Sequence, residues 1–119
     1  MKILFADDTR GLLELLENRA DLKEHNIDGV FDGTKALELI KSDNYDLVFV
    51  DYNMPGVDGA DLIKYAKANN LRAKMVMITG DPDMDYFSAK TLGVDEYLAK
   101  PIKIEMVENI INKYTLKDG

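Results

Sequence analysis

Leu47-Val48-Phe49-Val50-Asp51 is four apolar residues closed by a carboxylate. A run this short and this continuous reads as a strand covered on both faces, the habit of parallel sheets flanked by helices. Two further runs have the same form. Ile3-Leu4-Phe5-Ala6 ends on Asp7-Asp8, and Met75-Val76-Met77-Ile78 ends on Thr79. Two weaker strands complete the set. Residues 27–31 contain Asp28 and Gly29, so an edge strand or an irregular one is expected there, and Glu96-Tyr97-Leu98-Ala99 leads into Lys100-Pro101.

Amphipathic segments fall between these runs. Leu12, Leu13, Leu16 and Ala20 line one face of a helix over residues 9–24. Ala36, Leu37 and Ile40 do so after Gly33, and Leu62, Ile63 and Ala66 do so over residues 59–69. Pro82 suits a first helical turn behind Asp81 as cap, with Gly93 at the exit, although this segment has the thinnest apolar stripe. Ile104, Val107, Ile110, Ile111 and Tyr114 mark the last helix, and residues 117–119 are expected to fray. Strand and helix thus alternate five times. That order predicts an α/β domain with a parallel sheet and right-handed crossovers, occupying residues 1–119 as one unit.

Composition narrows the function. The chain has 119 residues, 46% of them hydrophobic and 31% charged, which is enough for one cored domain. A formal net charge of −7 disfavours nucleic acid or an acidic membrane as a direct partner. The absence of cysteine excludes thiolate chemistry. The apolar start is too short for a leader or a membrane span, so a cytoplasmic protein is expected. His25, the only histidine, reads as a capping or exposed residue.

In parallel sheets, ligands bind beyond the carboxyl ends of the strands. Those ends here carry Asp7, Asp8, Asp51, Thr79 and Lys100. Three carboxylates at one rim repel each other unless a cation joins them. Mg²⁺ prefers such hard oxygens and commonly bridges carboxylates to phosphate. A phosphoryl group on one of the aspartates would complete the charge balance, with the Lys100 ammonium and the Thr79 hydroxyl meeting its oxygens.

Asp7-Asp8, the stretch Asp51-Tyr-Asn-Met-Pro-Gly-Val-Asp-Gly59, Thr79-Gly80 and Tyr97-Leu-Ala-Lys100-Pro101 together resemble the receiver domain of two-component response regulators, of the single-domain chemotaxis type. The resemblance covers the whole chain. It implies a flavodoxin-like (βα)5 doubly wound sheet in strand order 2-1-3-4-5. It implies that Asp51 is the phosphoacceptor and that Asp8 binds Mg²⁺ directly, Asp7 through water and Asn53 through its backbone carbonyl. Thr79 and Lys100 would meet the phosphoryl group, Tyr97 would act as an aromatic switch, and Pro101 would follow a cis bond. The implied donor is a histidine kinase or a histidine phosphotransfer protein. A downstream protein would read the surface around the last strand and its flanking helices. The domain would be a signalling phosphoacceptor and not an enzyme with turnover. Two rival readings are a Mg²⁺-dependent phosphohydrolase with an aspartate nucleophile and a docking module that never uses phosphate.

Overall fold

The computed structural model describes residues 1–7, 10–19 and 24–118, without the side chains of residues 10–12 and 116–118. Within them the chain alternates β1 (Lys2–Ala6), α1 (Arg10–Glu17), β2 (Asn26–Val30), α2 (Gly33–Ser42), β3 (Leu47–Asp51), α3 (Gly59–Ala68), β4 (Lys74–Thr79), α4 (Tyr86–Leu92), β5 (Glu96–Ala99) and α5 (Ile104–Asp118). All neighbouring strands are parallel, in the order β2-β1-β3-β4-β5. This is the doubly wound order that the resemblance implies. Asp51 and Thr79 are the last residues of their strands and do not lie in the loops beyond them.

The continuous apolar runs have a simple cause. Leu4, Ala6, Val48, Val50, Met75 and Met77 face one core with residues of α2, α3 and α4. Ile3, Phe5, Leu47, Phe49, Val76 and Ile78 face the other, with residues of α1 and α5. Alternate side chains point to opposite faces of a strand, so two apolar faces require an unbroken apolar run. Each fully buried Leu, Ile or Phe contributes about 2 kcal/mol. That exceeds the ~0–1 kcal/mol of an exposed ion pair, so the three central strands dominate stability.

The polar edge strand is regular, with Ile3 paired to Ile27 and Ala6 to Val30. Its Asp28 accepts a 2.8 Å hydrogen bond from the Tyr45 hydroxyl, which explains an acid in that position. This bond and burial push the Tyr45 phenol well above its ordinary range, burial being the larger cause.

Several expectations are corrected at helix ends. The first helix stops at Glu17, short of residue 24. The Asn18 side chain bonds back to the Glu14 carbonyl and the Arg19 N–H tightens onto Leu16, which closes the last turn. Ala20, assigned above to that helix face, lies outside the described residues. The α4 helix starts at Tyr86, later than Pro82, because Asp85 is the cap: its carboxylate accepts the Ser88 N–H at 2.7 Å. Pro82 belongs to the preceding turn, where Asp81 accepts the Asp83 N–H. Only Ala89 of α4 is fully buried, in keeping with its thin stripe. Gly93 closes α4 at φ 101°, a left-handed conformation suited to glycine. Lys117 and Asp118, expected to fray, belong to the last helix, and Gly119 lies outside the described residues. The His25 side chain is not exposed, and the helix end it was expected to cap lies outside the described residues. The imidazole is only 3% exposed, and its Nδ1 lies 3.0 Å from the Met1 ammonium, brought there because Asn26 N–H bonds Met1 as β2 joins β1.

Candidate functional site: the carboxyl rim of the sheet

The register brings the strand ends together. Ala6 pairs with Val50, so Asp7 and Asp51 are the next residues on adjacent strands. Thr79 pairs with Ala99, and the Lys100 N–H then donates to the Thr79 carbonyl at 2.8 Å. Asp7 is 2% exposed, Asp51 1% and Thr79 1%. Two carboxylates are thus sunk in the rim of an otherwise apolar sheet, where an unpaired charge costs several kcal/mol, on the order of a whole domain's margin of stability.

Each oxygen of Asp51 has a donor. Lys100 Nζ lies 2.6 Å from Oδ2, and the Asn53 backbone N–H donates to Oδ1 at 3.0 Å. The Lys100 side chain remains 34% exposed, so a cation reaches from solvent to a buried anion. A shared partner is therefore the arrangement of this rim: the lysine can swing to another anion without being desolvated first. The Thr79 oxygen accepts the Asp81 N–H at 2.9 Å, and its hydroxyl proton is left as a donor. The Lys100–Pro101 peptide is cis, as the resemblance implies.

Tyr97 is half-buried on β5. Its hydroxyl donates to the Met84 carbonyl at 3.0 Å, and its ring meets Tyr86 edge-on at 6.4 Å. Tyr86 and the 80% exposed Phe87 leave an aromatic surface beside it. Asn53 is exposed and engaged through its backbone. Asp8, the direct metal ligand implied above, lies outside the described residues. Among the described residues no three acidic or histidine side chains gather closely enough to hold a metal by themselves. The donor set of the described residues nevertheless fits Mg²⁺, since Asp7 and Asp51 supply hard oxygens at the ends of neighbouring strands.

Sequence reasoning brought Asp7, Asp51, Thr79 and Lys100 to one rim, and the structure does the same. It passed over the contact between Gly33 and the loop after β3, where the Gly33 N–H donates to the Pro55 carbonyl at 2.9 Å. Gly33 read only as a turn and helix start, because the contact joins segments far apart in the chain.

A family model described as the response regulator receiver domain matches residues 3–112. The chain belongs to that family. The chemotaxis protein CheY of Pseudomonas aeruginosa is 34% identical over 118 residues, covering 95% of this receiver and 94% of CheY. The transcriptional regulatory protein TctD of Salmonella typhimurium is 31% identical over 109 residues, covering 91% of the receiver but 49% of TctD. The receiver therefore spans about half the length of that relative. The crystal structure of response regulator TrrA from Thermotoga maritima in complex with Mg²⁺ and BeF superposes with a TM-score of 0.78 at 27% identity, covering 95% of the receiver and 97% of TrrA. No helix of the described residues is long and apolar enough to cross a membrane.

Proposed function

We propose that this receiver accepts a phosphoryl group on Asp51 from a histidine kinase or a histidine phosphotransfer protein. The observation that carries the proposal is the buried Asp51 carboxylate held 2.6 Å from a lysine that itself reaches solvent. An Asp51 oxygen attacks phosphorus, the Oδ–P bond forms, and the donor's N–P bond breaks with its electron pair returning to the imidazole nitrogen. Asp7, Asp8, Asp51 and the Asn53 backbone carbonyl would hold Mg²⁺, and bound Mg²⁺ would neutralise charge on the phosphoryl oxygens. Lys100 then turns from the carboxylate to a phosphoryl oxygen, and the Thr79 hydroxyl donates to another. The exchange of partners follows from charge: once phosphorylated, Asp51 no longer competes for the lysine.

Recruitment of Thr79 withdraws the acceptor that now holds the Asp81 N–H, which loosens the turn leading to Met84. Tyr97, bonded to Met84, repacks with it. This shifts an existing equilibrium on the surface of α4, β5 and α5, where a downstream protein binds. The receiver acts as a single unit over residues 1–119, in the cytoplasm, as a signalling phosphoacceptor that contacts neither nucleic acid nor membrane directly. A phosphohydrolase would need a second acid or base poised for turnover, and among the described residues the rim supplies Lys100 and Thr79 beyond its carboxylates.

Intact mass after incubation with acetyl phosphate and Mg²⁺ tests the reading. One added phosphoryl group is expected in the wild type and none in Asp51→Asn. Sustained turnover of a small phosphate ester, or no labelling of folded wild type, would contradict it.

A further inference from the structure

We propose that Gly33 is a positioning residue for the metal-binding loop, through a latch between the first turn of α2 and the β3–α3 loop. The inference rests on the reading of Asn53 as a backbone Mg²⁺ ligand. It adds a residue of a different element, 20 positions upstream of Asn53, to the parts that set metal affinity.

Three anchors surround Asn53. On one side, its own N–H is bonded to Asp51 Oδ1. On the other, the Met54 side chain is buried in the core shared with α2 and α3. Next, the Pro55 carbonyl accepts the Gly33 N–H at 2.9 Å. The far end closes where the Gly59 N–H donates to Tyr52 at 3.1 Å and Asp58 caps α3. Of the hydrogen bonds made by the loop beyond Asn53, the Gly33 contact is the one supplied by a different strand–helix unit.

The approach is so close that only glycine is admitted. A Cβ at Gly33 would overlap the Val57 carbonyl oxygen and lie within contact of its carbon and Cα, all of them backbone atoms. Backbone cannot rotate aside as a side chain does, so the loop itself must move. The opposite wall of the latch repeats the arrangement. Gly56 has φ 81°, and a Cβ there would overlap Thr34 Oγ1. The α2 side is the fixed partner, since Asp32 caps the helix by accepting the Lys35 N–H at 2.7 Å, and Ala36 and Ile40 are buried. A displaced Pro55–Val57 segment therefore drags Asn53, while the strands that carry Asp7 and Asp51 stay in register. Groups that orient metal ligands typically change metal affinity by about 10–100-fold when lost.

The test uses Mg²⁺ alone as probe, followed by NMR amide shifts, with thermal melting and acetyl phosphate labelling recorded for the same samples. Gly33→Ala should raise the Mg²⁺ Kd by roughly tenfold. Its labelling rate should be depressed at limiting Mg²⁺ and should return to near the wild-type value at saturating Mg²⁺. Gly29→Ala is the control, because the atoms its Cβ would overlap belong to the Leu13 side chain and not to backbone. It should lower the melting temperature and leave the Mg²⁺ Kd unchanged. Gly56→Ala should weaken Mg²⁺ in the same direction as Gly33→Ala, and Thr34→Ala added to it should restore part of the affinity by removing the overlapped oxygen. This pair decides the matter if Gly33→Ala does not fold. An unchanged Kd in folded Gly33→Ala, an unchanged Kd in Gly56→Ala, or an equal loss in Gly29→Ala would overturn the latch. Wild type that ignores Mg²⁺ would instead overturn the metal site itself, a failure separate from that of the latch.

Discussion

The two ends of the one sheet use the same residue types for opposite purposes. At the amino end, Asp46 accepts the Lys2 N–H at 2.8 Å and meets Arg72 at 2.9 Å. Asp95 likewise accepts the Met75 N–H at 2.8 Å, with Lys67 at 3.7 Å. These carboxylates precede β3 and β5 and brace neighbouring strands through backbone donors. At the carboxyl end, Asp7 and Asp51 are more deeply buried, and the cation beside Asp51 comes from a flexible side chain open to solvent. Acids at both rims have a backbone donor and a partly exposed cation, so burial is what separates them. Asp46 and Asp95 are 24% exposed and brace neighbouring strands, whereas Asp51 is 1% exposed and depends on Lys100 for its charge balance.

Substitutions at the two rims should separate along that line. The largest effect is expected for Lys100→Met. It removes the cation that would meet the phosphoryl group, so labelling by acetyl phosphate should slow by about 100-fold. A rate within a few-fold of wild type would show that the lysine is only a brace. Asp46→Ala should do the reverse. It strands the Lys2 N–H at a half-exposed position, costing about 1 kcal/mol. The melting temperature should fall by about 4 °C, with labelling at the wild-type rate. Slow labelling in a stably folded Asp46→Ala would erase the contrast between the rims.

Tyr97→Phe lies between the two in location and below both in effect. It deletes the hydroxyl bonded to Met84 and keeps the ring, so a loss of about 0.5–1 kcal/mol is expected in chemical denaturation. The labelling rate should not change, because the residue is placed downstream of the chemistry. The smallest expected effect is a pH dependence from the amino end. Burial first, and the Met1 ammonium second, hold His25 below its ordinary range, with Glu24 opposing them. The folded protein therefore binds that proton less tightly than the unfolded chain does. The His25 contribution is fully present above the unfolded value of about 6.5 and is lost as pH falls below it toward the folded value. Denaturation midpoints measured across that range should decline on the acid side in the wild type and less so in His25→Gln. Equal slopes would remove His25 from the account.

Much of this was legible in the residues. The three central strands announce themselves because both faces of each are apolar, and their polar terminal residues identify the rim. Helix ends were harder to place. Pro82 fits a first turn by its fixed φ, but Asp85 holds the cap that the chain uses, and nothing local ranks the two. His25 was misjudged because its burial depends on Met1, which a neighbouring strand brings to it from far away in the chain. The Tyr45–Asp28 and Gly33–Pro55 contacts were invisible for the same reason: each is made by residues 17 or more positions apart, after the sheet has formed. Local pattern reports what a residue does to its own element, and these residues act on another.

The central claim is that Asp51, alone among the buried acids of the rim, takes the phosphoryl group. Labelling with acetyl phosphate and Mg²⁺, followed by borohydride reduction of the acyl phosphate and peptide mass mapping, locates the modified carboxylate. A single reduced residue at position 51, absent when Mg²⁺ is chelated, is the expected result. Reduction at position 7, or at neither acid in a protein that has gained phosphate, would contradict it.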